Sequence, residues 1–159
     1  MTRPDNSEAD RVSFGFTQVD HSVGRLPNGG SQWKYFSEPT PNATNNSSTG
    51  YNGYLSEPVF SFDAGFYSGT LSLELSSTVA SSNIHFTTDG SEPTEQSPIY
   101  SAPIIFDTTT VIRTRNFFTG LRLPSLTVTN TYFMNDTFTV PVVSISTDPE
   151  SFFGDSGIY

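Results

Sequence analysis

The stretch TTDGSEPTEQSPIY, from Thr87 to Tyr100, lies between two runs of residues that read as β-strands. Asp89-Gly90 is a strong tight-turn signal, because glycine tolerates a positive φ and aspartate hydrogen-bonds its own backbone. Pro93 and Pro98 stiffen the exit from the turn, and Tyr100 returns the chain to an apolar run. This stretch predicts a connection between two strands, around which the chain after Pro58 is arranged.

The residues on either side of this connection alternate as half-buried strands do. Leucines at 71, 73 and 75 are separated by polar residues, so one face is predicted to be buried and the other wet. Ile84 and Phe86 form the next inward pair, which places His85 outward. Further short apolar runs follow, at 104–106, 111–117 and 126–133. Six or seven short strands in about 80 residues are typical of an antiparallel β-sandwich of immunoglobulin or fibronectin type, and the fold class is therefore all-β.

The N-terminal part also has strand signals. Val12, Phe14 and Phe16 alternate with polar residues and glycine, which predicts a half-buried strand. A turn at 27–30, PNGG, precedes an aromatic run at 33–36, and together these predict an N-terminal β-hairpin. Residues 42–53 are rich in Asn, Ser, Thr and Gly, and we place a linker and a domain boundary there.

Composition excludes some classes of partner. Seven Lys and Arg against 16 Asp and Glu give a net charge of −9, which disfavours nucleic acid, because phosphate binding needs clustered basic residues. The chain has no cysteine, so disulfides, thiolate nucleophiles and cysteine zinc sites are excluded. No apolar run approaches the about 20 residues of a membrane helix, and we expect no membrane insertion. The N-terminus lacks an apolar signal-peptide core, so we expect the signal of a secreted parent to lie outside this chain.

The sequence predicts no catalytic residue and no cofactor. Of the two histidines, His21 lies in a predicted loop and His85 on a predicted solvent face, and no nucleophile elbow, histidine-pair metal motif or glycine-rich phosphate loop is present. Two carboxylate pairs, Asp89 with Glu92 and Asp148 with Glu150, have the hard oxygen ligands that calcium prefers. The alternative is that each aspartate caps the amides of its own turn, and we favour this alternative.

Four aromatic residues are candidates for stacking against sugar rings: Trp33, Tyr35, Tyr51 and Tyr54. The alternative is that these rings pack in the core or between domains, as large aromatic side chains usually do. Arg113 and Arg115 share one strand face, where we expect them to pair with acidic side chains across the sheet.

The run from Pro58 to Phe133 resembles a known family, the immunoglobulin-like domain that follows the catalytic barrel in chitobiases and β-hexosaminidases. The family pattern places a Pro-x-Phe-Ser motif and a Gly-Phe-Tyr motif before the turn, and an Ile-x-Phe-Thr-Thr-Asp-Gly-Ser-x-Pro-Thr motif around it. This chain supplies them at 58–61, 65–67 and 84–94, and continues the pattern at Tyr100, 103–104, 111–113, 124–125 and 131–133. The resemblance implies a non-catalytic spacer or accessory module and carries over no active-site residue.

Two shorter resemblances flank this module. Residues 22–45 resemble the end of a lamin-tail domain, carried by Ser22, Gly24, Arg25, Pro27, Asn28, Gly29, Trp33, Thr40, Pro41 and Asn45. Residues 140–159 resemble the first strand of the CotH family of spore-coat-type atypical kinases, carried by the run VPVVSISTDPESFF and the final Gly-Ile-Tyr. The chain ends before that family's nucleotide and metal ligands, so the resemblance implies no kinase activity here.

Together these observations predict four segments: a lamin-tail remnant at 1–45, a linker at 46–57, the β-sandwich at 58–136 and the start of a CotH-like domain at 137–159. We expect the chain to be a non-catalytic spacer or interaction module of a larger secreted or cell-surface bacterial protein, with the neighbouring domains of the same parent as partners. Two alternatives stay open. The first is a carbohydrate-binding accessory of a glycan-degrading enzyme, with a glycan as partner, and the second is an N-terminal fragment of a CotH-type kinase.

Overall fold

A computed structural model describes residues 4–8, 11–13 and 15–155. The described residues are almost entirely β, as the sequence predicts, and they form ten strands and one short helix. In chain order these are β1 (Ser22–Arg25), β2 (Trp33–Phe36), β3 (Val59–Phe60), β4 (Gly65–Tyr67), β5 (Leu71–Leu73), β6 (Leu75–Ser76), β7 (Asn83–Thr87), β8 (Ile104–Phe106), β9 (Thr110–Phe117), β10 (Val128–Met134) and α1 (Pro149–Phe153).

The chain divides into two compact units, Met1–Gly53 and Tyr54–Tyr159. The division falls inside the segment 46–57 that composition predicts as a linker. Tyr51, before the division, pairs with a strand of the first unit, and Leu55, after it, is buried and donates its N–H to the Leu123 carbonyl at 2.9 Å.

The first unit is built on the predicted hairpin. β1 and β2 pair antiparallel, with Ser22 opposite Phe36 and Arg25 opposite Trp33. The turn between them is closed by the Gly30 N–H, which donates to the Pro27 carbonyl at 2.8 Å. Tyr51 adds a third row, because Tyr35 and Tyr51 exchange two backbone hydrogen bonds of 2.9 and 2.8 Å.

The strand predicted around Val12, Phe14 and Phe16 is wrong for the described part of that segment. Residues 11–13 and 15–17 form no strand, and Phe16 is 67% exposed, while Phe14 lies outside the described residues. Alternation describes one face of a strand but does not provide a neighbour to pair with, and a strand needs both.

The second unit is an immunoglobulin-like β-sandwich. One layer is a four-stranded sheet in the order β4-β10-β9-β7, in which β10 pairs antiparallel with β9 and parallel with β4. The other layer consists of the pairs β5-β8 and β3-β6, which share one continuous segment because only Glu74 separates β5 from β6.

The core lies between the two layers, as the leucine alternation predicts. Leu71, Leu73 and Leu75 are buried, whereas the alternating residues 72, 74 and 76 are exposed. They pack against Ile84, Ile112, Tyr132 and Met134 of the four-stranded sheet. Burial of each such side chain contributes about 1.5–3 kcal/mol. Tyr132 is fully buried, so its hydroxyl needs a partner, and it donates to the Phe62 carbonyl at 2.9 Å.

The opposite face of the four-stranded sheet, which we call the outer face, is covered by two segments without regular structure. The first is the loop 88–99, which returns along β7 through the bonds Phe86 N–H to Pro98 carbonyl (3.0 Å) and Tyr100 N–H to Ile84 carbonyl (2.8 Å). The second is the tail 138–147. Its Phe138 ring packs edge-on against the rings of Phe66 and Phe133, and its Ser144 hydroxyl bonds that of Thr131 at 2.7 Å.

The run that begins at Pro141 resembles the first strand of a CotH domain, and the expectation of a strand there is wrong. Within the described residues this run forms no strand and pairs with none, and Val143 and Ile145 are 83% and 74% exposed. The polar run after it begins α1, where the Asp148 carboxylate accepts from the Glu150 N–H at 3.0 Å and caps the helix. The Gly-Ile-Tyr at 157–159 lies outside the described residues.

Candidate functional site

Glu92 is the centre of a partly buried polar network on the outer face. Its carboxylate binds the guanidinium of Arg113 directly, lies 3.6 Å from that of Arg115, and accepts a hydrogen bond from the Thr127 hydroxyl. The two arginines are two residues apart on β9, so both project from the same face of the sheet. We call these three charged side chains the Glu92 clamp, because they fix the loop 88–99 to the sheet.

Backbone carbonyls complete the clamp. Arg113 also donates to the Gly90 carbonyl at 2.6 Å, and Arg115 donates through Nε to the Ser125 carbonyl at 2.9 Å. Burial lowers the pKa of Arg115, and the charge of Glu92 offsets part of that effect. The arginine stays charged because its ordinary pKa is above about 12. The arginines therefore do pair with an acidic side chain, but that side chain belongs to a loop and not to a neighbouring strand.

Asp89 performs the turn role that the sequence favours. Its carboxylate accepts from the Ser91 hydroxyl at 2.6 Å and from the Ser91 N–H at 3.0 Å. These two bonds stabilise the charged form and lower the pKa of Asp89. Gly90 follows at φ +87°, which is the left-handed region that the Asp-Gly pair predicts.

Three of the four carboxylates that the sequence offers for calcium are engaged by the protein itself. Glu92 is bound to arginines, Asp89 to Ser91, and Asp148 to the first turn of α1. In the described part of the chain no group of three or more His, Asp or Glu side chains is arranged to hold a metal ion.

His85 is not on a solvent face, and that prediction is wrong. Its side chain is only 4% exposed, its ring meets that of Phe117 edge-on at 5.0 Å, and its Nδ1 lies 2.8 Å from the Ser97 carbonyl. The alternation along β7 is correct, and His85 does point away from the core. The loop 88–99 covers it, with Ile99 bridged to His85. The second histidine, His21, lies just before β1 and is half-buried.

The four candidate sugar-stacking residues are divided between the two units. Trp33 and Tyr35 lie on one face of β2, and Tyr51 shares that face because it is directly opposite Tyr35. We call these three rings the aromatic platform. All three are half-buried, and the Arg25 guanidinium lies 4.8 Å from the centre of the Trp33 ring. Tyr54 belongs to the second unit, where it is bridged to Leu123.

Sequence reasoning weighed Glu92 only as a calcium ligand and missed its place in the clamp. The signal that points to it is Arg113-Thr-Arg115 in an otherwise apolar strand, because two guanidiniums on one half-buried face require a carboxylate partner. The partner is 21 residues away from Arg113 in the sequence, so spacing alone does not identify it.

Among the described residues, no helix is long and apolar enough to span a bilayer.

The sandwich with its covering loop defines an immunoglobulin-like domain. Residues 62–129 match the family model of the chitobiase/beta-hexosaminidase C-terminal domain. The matched range contains the Asp89-Gly90 turn and the whole Glu92 clamp, and it confirms the resemblance for this part of the chain. No curated protein matches the chain, and no solved structure does. The lamin-tail and CotH resemblances stay predictions.

Proposed function

We propose that this chain is a non-catalytic β-sandwich spacer or interaction module of a larger secreted or cell-surface bacterial protein. The observation that carries the proposal is the Glu92 clamp. The most polar group of side chains on the outer face of the sandwich is used to fasten a loop, and its arginines and carboxylate bind one another and the backbone. A domain whose charged side chains bind its own loops is rigid, and a rigid domain is suited to holding its neighbouring domains at a fixed distance.

The match to a domain that stands beside the catalytic part in chitobiases and β-hexosaminidases supports the same role. The location outside the cell is part of the proposal and follows from the same family relation.

A spacer must keep its ends at one distance. The chain has no cysteine, so two introduced cysteines are labelled without competition. Glu57→Cys and Thr137→Cys place spin labels at the exposed start and end of the sandwich. Pulsed electron resonance on the whole chain is expected to give one narrow distance distribution, and the same sample in denaturant supplies the broad reference. A distribution in buffer as broad as the denatured one would remove the spacer role.

A second candidate function, a carbohydrate-binding accessory module, is favoured by the aromatic platform. Three aromatic rings on one sheet face offer flat apolar surface of the kind that sugar rings stack on. Because Arg25 lies over one face of Trp33, a sugar has access to the other face or must displace the guanidinium.

Trp33 is the only tryptophan, so its fluorescence reports on the platform directly. A glycan that stacks there is expected to shift the emission saturably, and Tyr51→Ala should weaken that response. Phe16→Ala, which removes an exposed ring of the same unit, serves as the control. A glycan array with no saturable signal would exclude the carbohydrate-binding function and leave the spacer role.

A further inference from the structure

A cavity of about 420 Å³ opens at the outer face beside β7 and β9. His85 and Phe117 come from the two strands, Glu95 and Ile99 come from the loop 88–99, and Phe118 follows β9. The volume lies within the about 300–1,000 Å³ that is usual for small-molecule sites.

The His85 ring offers this cavity a hydrogen-bond acceptor. His85 Nδ1 lies 2.8 Å from the Ser97 carbonyl, which only accepts, so Nδ1 is the donor of this hydrogen bond. In the tautomer that has its hydrogen on Nδ1, the other nitrogen, Nε2, has a lone pair that can accept a hydrogen bond. The ring is 4% exposed and held edge-on against Phe117, so this acceptor is fixed in position.

The remaining lining combines apolar surface with hydroxyl-compatible groups. Phe118 and Ile99 are 38% and 52% exposed, which is open apolar surface beside the histidine. Glu95 adds a carboxylate, and Asn83 adds an amide that both donates and accepts.

The charge around the cavity does not select an ion. The Glu92 clamp, which adjoins the cavity through the Arg115 guanidinium 5.5 Å from the Phe117 ring, has two positive groups and one negative group. Its surplus of one positive charge is balanced by the carboxylate of Glu95. A neutral ligand that carries several O–H donors and an apolar C–H face matches this lining better than an ammonium or an anion does.

We propose that this cavity binds one monosaccharide unit of a glycan, with the apolar face of the sugar on Phe118 and its hydroxyls donating to His85 and Glu95. The choice of a sugar deepens the second candidate function, but the site is in the other unit from the aromatic platform and shares no residue with it.

The test is a titration of the whole isotope-labelled chain with the methyl glycosides of glucose, galactose and mannose, followed by NMR. The expected result is a saturable shift of the His85 and Phe118 ring signals with at least one of the three sugars, at millimolar affinity. Phe118→Ala should weaken that binding about five- to tenfold, the range for loss of one aromatic contact. Leu121→Ala removes a more exposed apolar side chain, 56% against 38% for Phe118, that lies outside the cavity, and it should leave the binding unchanged.

Unchanged signals from Ile112 in the core show that each variant is folded, and Glu95→Gln provides a second variant at an exposed position. Three results overturn the proposal: no saturable shift at His85 with any of the sugars, a shift that Phe118→Ala does not weaken, or tighter binding of butylamine that Glu95→Gln abolishes. If the sugar response disappears in Trp33→Ala and persists in Phe118→Ala, the cavity proposal fails while the carbohydrate-binding function stands. If the sugar response disappears in Phe118→Ala and persists in Trp33→Ala, the cavity is the binding site and the platform is not.

Discussion

The two faces of the four-stranded sheet bind the structure that covers them through different kinds of interaction. On the inner face, Ile84, Ile112 and Tyr132 pack against the leucines of the opposite layer. On the outer face, Arg113 and Arg115 bind a single carboxylate from a loop. Apolar burial is non-directional and tolerates small shifts, whereas an ion pair with fixed hydrogen bonds defines one position of its partner. The inner face thus supplies most of the stability, and the outer face determines where the loop lies.

Both faces of β9 are covered, and this has a cost on the polar side. The Nε of Arg113 is buried without a hydrogen-bond partner. A buried unpaired polar group costs about 1–3 kcal/mol. The clamp therefore fixes geometry more than it adds stability.

The largest effect is expected from the inner face. Ile112 is fully buried, so Ile112→Ala should lower the free energy of unfolding by about 2–5 kcal/mol through lost burial and a cavity. Urea unfolding of both proteins measures the difference. Ile105→Ala on β8 is the control, because Ile105 is 69% exposed and should change stability by less than about 0.5 kcal/mol. Equal losses for the two variants would contradict the assignment of the core.

An intermediate effect is expected from the clamp. Glu92→Gln leaves two guanidiniums without a counter-charge, and we expect a loss of about 1–2 kcal/mol, reduced from the full value because the Glu92 side chain is 42% exposed. Hydrogen exchange should show the amides of Phe86 and Tyr100, which hold the loop, opening faster, while Ile112 in the core stays protected. Glu95→Gln in the same loop is the matched control. Faster exchange at the core alone would show that the clamp stabilises the sandwich and not the loop.

The smallest effect is expected from Asp89 and depends on pH. Its hydrogen bonds to Ser91, first the hydroxyl and then the N–H, lower its pKa in the folded protein. A lowered pKa contributes stability that is present above the unfolded value of about 3.9 and is lost as the pH falls through the folded value. Asp89→Asn keeps an oxygen acceptor but cannot titrate, so its stability should fall less steeply below about pH 4 than that of the native protein. Parallel curves for the two proteins in acid would show that this carboxylate does not contribute.

Burial on the inner face of the sheet could be predicted from the sequence, and burial on the outer face could not. Alternation of Leu71, Leu73 and Leu75 identifies the core, since period-two patterning reports directly on burial against one layer. The Asp89-Gly90 turn is equally local and is where it was expected. Burial of His85 depends instead on a loop that returns from 12 residues further along, and no local pattern encodes that return.

The candidate sites show the same limit. Trp33 and Tyr35 could be placed on one face from their spacing, and Tyr51 joins them only through a backbone pairing across a segment that composition had favoured as a linker. The cavity beside His85 was not foreseen, because its lining comes from two strands and a loop that the sequence does not show to be neighbours.

The parallel pairing of β4 with β10 has a mechanical consequence. β4 lies near the start of the sandwich and β10 near its end, and Tyr132 to Met134 run beside Gly65 to Tyr67 in the same direction. When the two ends of this unit are pulled apart, these strands must slide past each other, so the bonds between them bear the load together and do not open one at a time. We expect the module to resist tension along the chain better than an antiparallel hairpin pulled open from its ends, which is the property that a link between domains needs.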